Sequence, residues 1–243
     1  MSSYEHPNLG ETAKNTTYSK LARPALPAAA GLDPELKPRL RGVLHQWAFA
    51  VSLAAGASLV LQAGSARERV ATAIYALSVV ALFGTSALYH RVNWSTLAAR
   101  RWMRRLDHTM IFVLIAGSYT PFALLVLPGT LGLVILITAW SAALAGAVFR
   151  LIWLDAPAWL IAAAYIAVGW MAVVAGPELV GRLGVVATAA MALGGILYSV
   201  GAVIYARQRP DPVPAVFGYH ELFHLLVILA AALQFAVVAF WVL

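Results

Sequence analysis

Residues 109–149 read TMIFVLIAGSYTPFALLVLPGTLGLVILITAWSAALAGAVF, 41 consecutive positions without aspartate, glutamate, lysine or arginine. A helix rising 1.5 Å per residue needs about 20 apolar residues to cross a bilayer. The stretch is therefore two crossings, and Pro128-Gly129-Thr130-Leu131-Gly132 is the turn signal that divides it. The flanking sequence repeats the pattern: Gly42–Ala66 is uncharged over 25 residues, Val70–His90 over 21, Ala156–Pro177 over 22, Leu183–Ala206 over 24 and Leu222–Leu243 over 22. Seven spans are expected, at 43–64, 70–90, 107–127, 131–151, 157–175, 184–206 and 217–242. The runs are too evenly apolar for amphipathic surface helices. They are also too long and too rich in alanine and leucine for barrel strands, which alternate in polarity over about ten residues. The fold class is an all-α membrane protein, a bundle of seven transmembrane helices.

Composition agrees. The 243 residues are 62% hydrophobic and 11% charged, where soluble domains are roughly 45–50% apolar and about 25% charged. The absence of cysteine removes disulfides and thiolate metal sites. The net charge of +7 is better explained by membrane topology than by nucleic acid, because of where the cations fall. With the N-terminus in the cytoplasm, 14 Lys/Arg lie in inside segments and 3 (Arg67, Arg69 and Arg182) lie outside. Positive residues favour the cytoplasmic side, so the expected topology is N-terminus in and C-terminus out. Residues 1–38 hold five of the twelve prolines, show no apolar periodicity and lack the apolar core of a secretory signal. They read as a flexible cytosolic tail, and 39–243 as the transmembrane domain.

Ionisable residues inside spans are costly, about 2.5–3.5 kcal/mol at a helix centre on insertion scales, and mark candidate sites. Five histidines qualify: His45, His90, His108, His220 and His224; Asp107 and Glu221 open the third and seventh spans. The expected topology puts all seven near the cytoplasmic face. His220 and His224 are four residues apart, so both imidazoles project from one helix face, and Ser86 and His90 share that spacing. A third nitrogen from His90 would complete three histidines with one open position, which suits catalytic Zn²⁺. Zinc-bound water can have a pKa near 7, and Asp107 is placed to orient it or take its proton. His220-Glu221-Leu222-Phe223-His224 also fits H-E-x-x-H, in which Glu221 would be the base. That pattern normally belongs to a sizeable soluble domain. Packing near the headgroups is the plainer role for Glu221. For His45 and His108 the plainer role is interhelical hydrogen bonding or support of the ligands. Tyr119-Thr120-Pro121 reads as a kink with hydroxyls near the freed backbone. Trp47, Trp94, Trp102, Trp153 and Trp241 read as interfacial anchors.

Three motifs in order, Ser86-Ala87-Leu88-Tyr89-His90, Leu106-Asp107-His108 with Ile115–Phe122, and His220–His224, resemble the progestin and adipoQ receptor family, specifically its bacterial haemolysin III-like branch. The resemblance covers roughly residues 40–243. It implies that His90, His220 and His224 bind zinc and that Asp107 holds the zinc-bound water. Ser86 is then a candidate for orienting water or polarising a carbonyl. Eukaryotic members resemble ceramide hydrolases, and the bacterial branch is linked to membrane-lipid homeostasis and was named for haemolysis. The resemblance does not require Glu221. The expected function is a zinc-dependent hydrolase of a lipid amide or ester, ceramide-like or another acyl lipid, in the bacterial inner or plasma membrane. The rival readings are a non-catalytic sensor or regulator of membrane lipids and a haemolysin-like cytolytic protein.

Overall fold

Ser65-Ala66-Arg67-Glu68 is a capping box in the computed structural model, which describes residues 38–243. Ser65 Oγ accepts from the Glu68 amide at 3.2 Å, and Glu68 Oε2 accepts from the Ser65 amide at 3.1 Å. These bonds satisfy backbone donors that a helix start leaves orphaned, so helix α2 (Ala66–Arg91) begins four residues before its uncharged run. A larger shift occurs at α3. Thr96 caps a helix running Leu97–Pro121, where the apolar count placed its start at 107. Counting uncharged residues locates the hydrophobic part of a helix. The arginines of 97–106 are good helix formers and extend α3 beyond it. Asp107 therefore sits nearly three turns inside the helix.

The remaining helices are α1 (Val43–Gln62), α4 (Gly129–Ile152), α5 (Ala158–Gly169), α6 (Gly176–Arg207) and α7 (Tyr219–Val237). No strand occurs among the described residues. Consecutive helices pack against one another, and α1 also packs against α7, which brings the two ends of the domain together. α3 is innermost: 67% of its most apolar window is buried, against 22% for α1 and α4. Six helical runs among the described residues are long and apolar enough to cross a membrane; the fifth, 158–207, is 50 residues long and contains both α5 and α6. The tail expected over 1–38 lies outside the described residues, apart from Pro38.

Helix irregularities fall where the sequence has its breakers. After Pro121, which cannot donate to the helix ladder, the chain passes into a π-helical turn, Phe122–Val126. Tyr119 reaches a neighbouring helix instead of its own backbone. Its hydroxyl donates to the Gly169 carbonyl at 2.7 Å and accepts from the Ala172 amide at 2.9 Å, joining α3 to the 3₁₀ turn Trp170–Ala175. The indole of Trp170 donates to Ser199 Oγ at 2.8 Å, so α5 and α6 lie side by side. Gly184 interrupts α6 at φ +81°, in the left-handed region where glycine carries no Cβ penalty. Trp47, Trp102, Trp153 and Trp241 are substantially exposed on the bundle surface, as interfacial anchors require.

Candidate metal centre and its cavity

The start of α7 is built before the histidines are placed. Asp211 Oδ1 accepts from the Tyr219 amide at 2.8 Å, and Glu221 Oε2 accepts from the Gly218 amide at 2.9 Å. The other oxygen of Glu221 accepts from Arg41 Nε at 2.5 Å. Glu221 is fully buried with both oxygens engaged, so it closes the helix end and ties in residues 38–42. Two strand-like bonds, Arg39 N to Ala215 O and Leu40 N to Val216 O at 3.1 Å each, complete that tie. Gly42 then turns the chain into α1 at φ +79°; a Cβ there would come within 2.5 Å of His90 Cβ. Only glycine lets the backbone pass so close to that histidine.

With α7 fixed, His220 and His224 face inward, one turn apart, and meet His90 from the end of α2. The ligand-type nitrogens of these three lie within 4.8 Å of one another, and all three residues are buried. Nε2 of His220 and Nε2 of His90 face each other at 3.1 Å. Two nitrogens bound to one tetrahedral zinc at 2.0–2.1 Å stand roughly 3.4 Å apart. The donor set thus fits a divalent metal of the zinc class: three imidazoles from two helices, converging and buried. Asp107 Oδ2 on α3 lies 3.8 Å from His90 Nε2. Ser86, one turn before His90, interacts with the Asp107 carboxylate.

His45 stands beside this set. Its ring stacks on His224 with centroids 3.7 Å apart and planes 9° from parallel. Neither of its nitrogens has a hydrogen-bond partner among the described residues. It braces the ligand through ring contact. His108 does not join the three. Its ring nitrogens pair with Arg150 Nη2 and, at 3.2 Å, with the Tyr205 hydroxyl. The structure thus gathers His90, His220, His224, Asp107, Ser86 and His45 at one place. It diverts Glu221 to a helix cap and His108 to a separate cluster.

A cavity of about 590 Å³ runs from this place into the bundle, bordered by Asp107 and His220 at one end and by Leu179 and Gln234 farther in. That volume lies in the range of small-molecule and lipid pockets. Its lining is mainly apolar side chains of α3, α5, α6 and α7. Reasoning from sequence missed Arg41, Arg150 and Tyr205. Arg41 and Arg150 looked like ordinary cytoplasmic-side cations. Tyr205, two residues from the charged end of α6, carried no signal at all.

The family model for Haemolysin-III related proteins matches residues 35–235. The chain is 34% identical over 178 residues to the Hemolysin-3 homolog of Bacillus subtilis (strain 168), covering 73% of this chain and 80% of that protein. It is also 34% identical over 180 residues to Hemolysin-3 of Bacillus cereus, covering 74% and 78%.

Proposed function

We propose that this chain, which belongs to the haemolysin III family of multi-pass membrane proteins, is a zinc-dependent hydrolase of a lipid amide or ester in the bacterial cell membrane. One observation carries the reading: three buried imidazole nitrogens and a carboxylate converge at the head of a lipid-sized apolar cavity.

In this reading His90, His220 and His224 hold the metal. A bound zinc ion supplies a Lewis acid for a carbonyl oxygen and makes water more acidic at neutral pH. Asp107 accepts the proton of the attacking water and returns it to the leaving amine or alcohol. Ser86 keeps the carboxylate oriented and offers its hydroxyl to the carbonyl oxygen as charge builds there. The apolar wall takes the acyl chain out of water, at about 25 cal/mol per Å² buried. Glu221 has no part in proton transfer, because both of its oxygens are committed.

The proposed topology has seven spans, the N-terminus in the cytoplasm and the C-terminus outside. The 50-residue run 158–207 would extend about 75 Å as one rod, against about 30 Å of hydrocarbon. The Trp170–Ser199 bond supports reading it as a hairpin of two spans. The 14-to-3 distribution of Lys and Arg supports the orientation. It puts the metal centre on the cytoplasmic side. A reporter fused after Leu243 should be active only outside the cytoplasm.

The direct test is metal content and turnover together. Purified protein should carry about one zinc per chain and hydrolyse ceramide or another acyl amide or ester, and Asp107→Asn should retain the zinc and lose turnover. Zinc retained without turnover of any acyl lipid, joined to a membrane-lipid phenotype that Asp107→Asn rescues fully, would instead establish a regulator.

A further inference from the structure

Arg150, in the last turn of α4, is 1% exposed. Among the described residues no carboxylate lies within 4.0 Å of it, since the ion pairs are formed by Arg41, His90, Arg104 and Arg182. Its guanidinium donates to the Trp153 carbonyl at 3.3 Å and to His108 Nδ1. Its Nε–H is buried and meets no acceptor. Arg150 also borders the cavity described above, together with Arg104, His108 and Tyr205.

The hydrogen-bond roles in this cluster are determined. Arginine can only donate, so His108 Nδ1 is the acceptor. The neutral imidazole must then carry its proton on Nε2, which donates to the Tyr205 oxygen at 3.2 Å. That leaves the Tyr205 O–H as a donor with no assigned acceptor. The cluster therefore offers the cavity a fixed positive charge, an Nε–H and a phenolic O–H. Buried cations are normally matched by an opposite charge in contact, and among the described residues Arg150 has none, Asp155 acting on it only from beyond ion-pair distance. The Tyr205 ring lies 5.7 Å from the His220 ring, so the cluster directly adjoins the metal set.

We propose that Arg150 and Tyr205 form an anion subsite that binds the negatively charged oxygens, phosphate or carboxylate, of the lipid's polar end. The inference rests on the reading of the cavity as the lipid's place and narrows its occupant: an anionic acyl lipid is preferred to a neutral one such as ceramide. Arg104, partly neutralised by Asp155 at 3.3 Å, adds positive potential at the same rim.

The test uses the full chain in phosphatidylcholine nanodiscs, stripped of metal, and measures binding of dodecyl phosphate, dodecanoate and dodecanol by tryptophan fluorescence. At least one anionic probe should bind tenfold or more tightly than dodecanol; which one does so identifies the group. Tyr205→Phe, which removes only the hydroxyl, should reduce that preference severalfold. Arg150→Gln should abolish it, and Arg150→Lys should recover part of it. Equal binding of all three probes to the wild type overturns the proposal, as does a preference unchanged in Arg150→Gln and Tyr205→Phe. If Arg150→Gln does not fold, the Tyr205→Phe result decides. Because metal is absent, the outcome is independent of turnover: a His90→Ala protein that hydrolyses nothing should still prefer the anion.

Discussion

Two histidine clusters sit side by side in one bundle, and they are opposites. In the first, His90 and His220 point their Nε2 atoms at each other, 3.1 Å apart, with His224 one turn away. In the second, His108 is fixed between Arg150 and Tyr205 and has no nitrogen left to give. The residue type is the same, although His108 is only partly buried where the other three are buried. The difference lies in the neighbours. Imidazoles that face other imidazoles and a carboxylate present lone pairs, which a cation needs. An imidazole that accepts from a guanidinium hands its remaining proton on, and the cluster presents donors, which an anion needs. A buried histidine thus acquires its chemistry from the group across from it.

The sharpest way to break the comparison is to remove one member of each cluster and count metal. His220→Ala or His224→Ala should reduce zinc from about one per chain to background by elemental analysis, whereas His108→Ala should leave the zinc content unchanged. Zinc that survives both ligand substitutions would dissolve the distinction. Next in size is Asp107→Asn, which should lower turnover by a factor of about 10²–10⁴, the usual weight of a positioned proton acceptor, at unaltered zinc content. His45 sharpens the first cluster from outside it. His45→Ala, which removes the ring stacked on His224, should weaken zinc binding by roughly 10–100-fold, as loss of ligand support does. His45→Phe, which keeps a flat ring, should weaken it less, as read by competition with a chelator. The smallest effect belongs to the tie between the clusters' frame and residues 38–42. Glu221→Gln should cost about 1–3 kcal/mol of stability through the weakened Arg41 and Gly218 bonds, seen as a lower midpoint of unfolding, with zinc still bound.

The first cluster was largely legible. The i,i+4 spacing of His220 and His224 and the position of His90 at the end of an uncharged run singled out all three; Asp107 stood out as a carboxylate at the start of a span, and Ser86 by its spacing from His90. The second cluster was not legible. Arg150 ends an uncharged run and counts toward the positive side of the membrane, the ordinary duty of an arginine there. Nothing in its neighbours along the chain says that it turns inward to His108, 42 residues away, and is buried. Helix starts were misplaced for a related reason. Hydrophobicity reports where a helix meets lipid, while Ser65 and Thr96 decide where it begins.

What the amino-acid order by itself determined is everything that depends on one helix at a time: the apolar runs, the caps, the uneven distribution of the arginines between the segments that join them, and the pair of histidines on one turn of α7. Those properties follow from local periodicity and from transfer of single side chains into lipid, and neither needs a partner helix. The roles of Glu221, His45, His108 and Arg150 were decided only when the helices came together. Whether a buried polar group caps a helix, braces a ring, gives a lone pair or awaits an anion depends on which atom lies within about 3 Å of it. That atom comes from a different helix in nearly every case here.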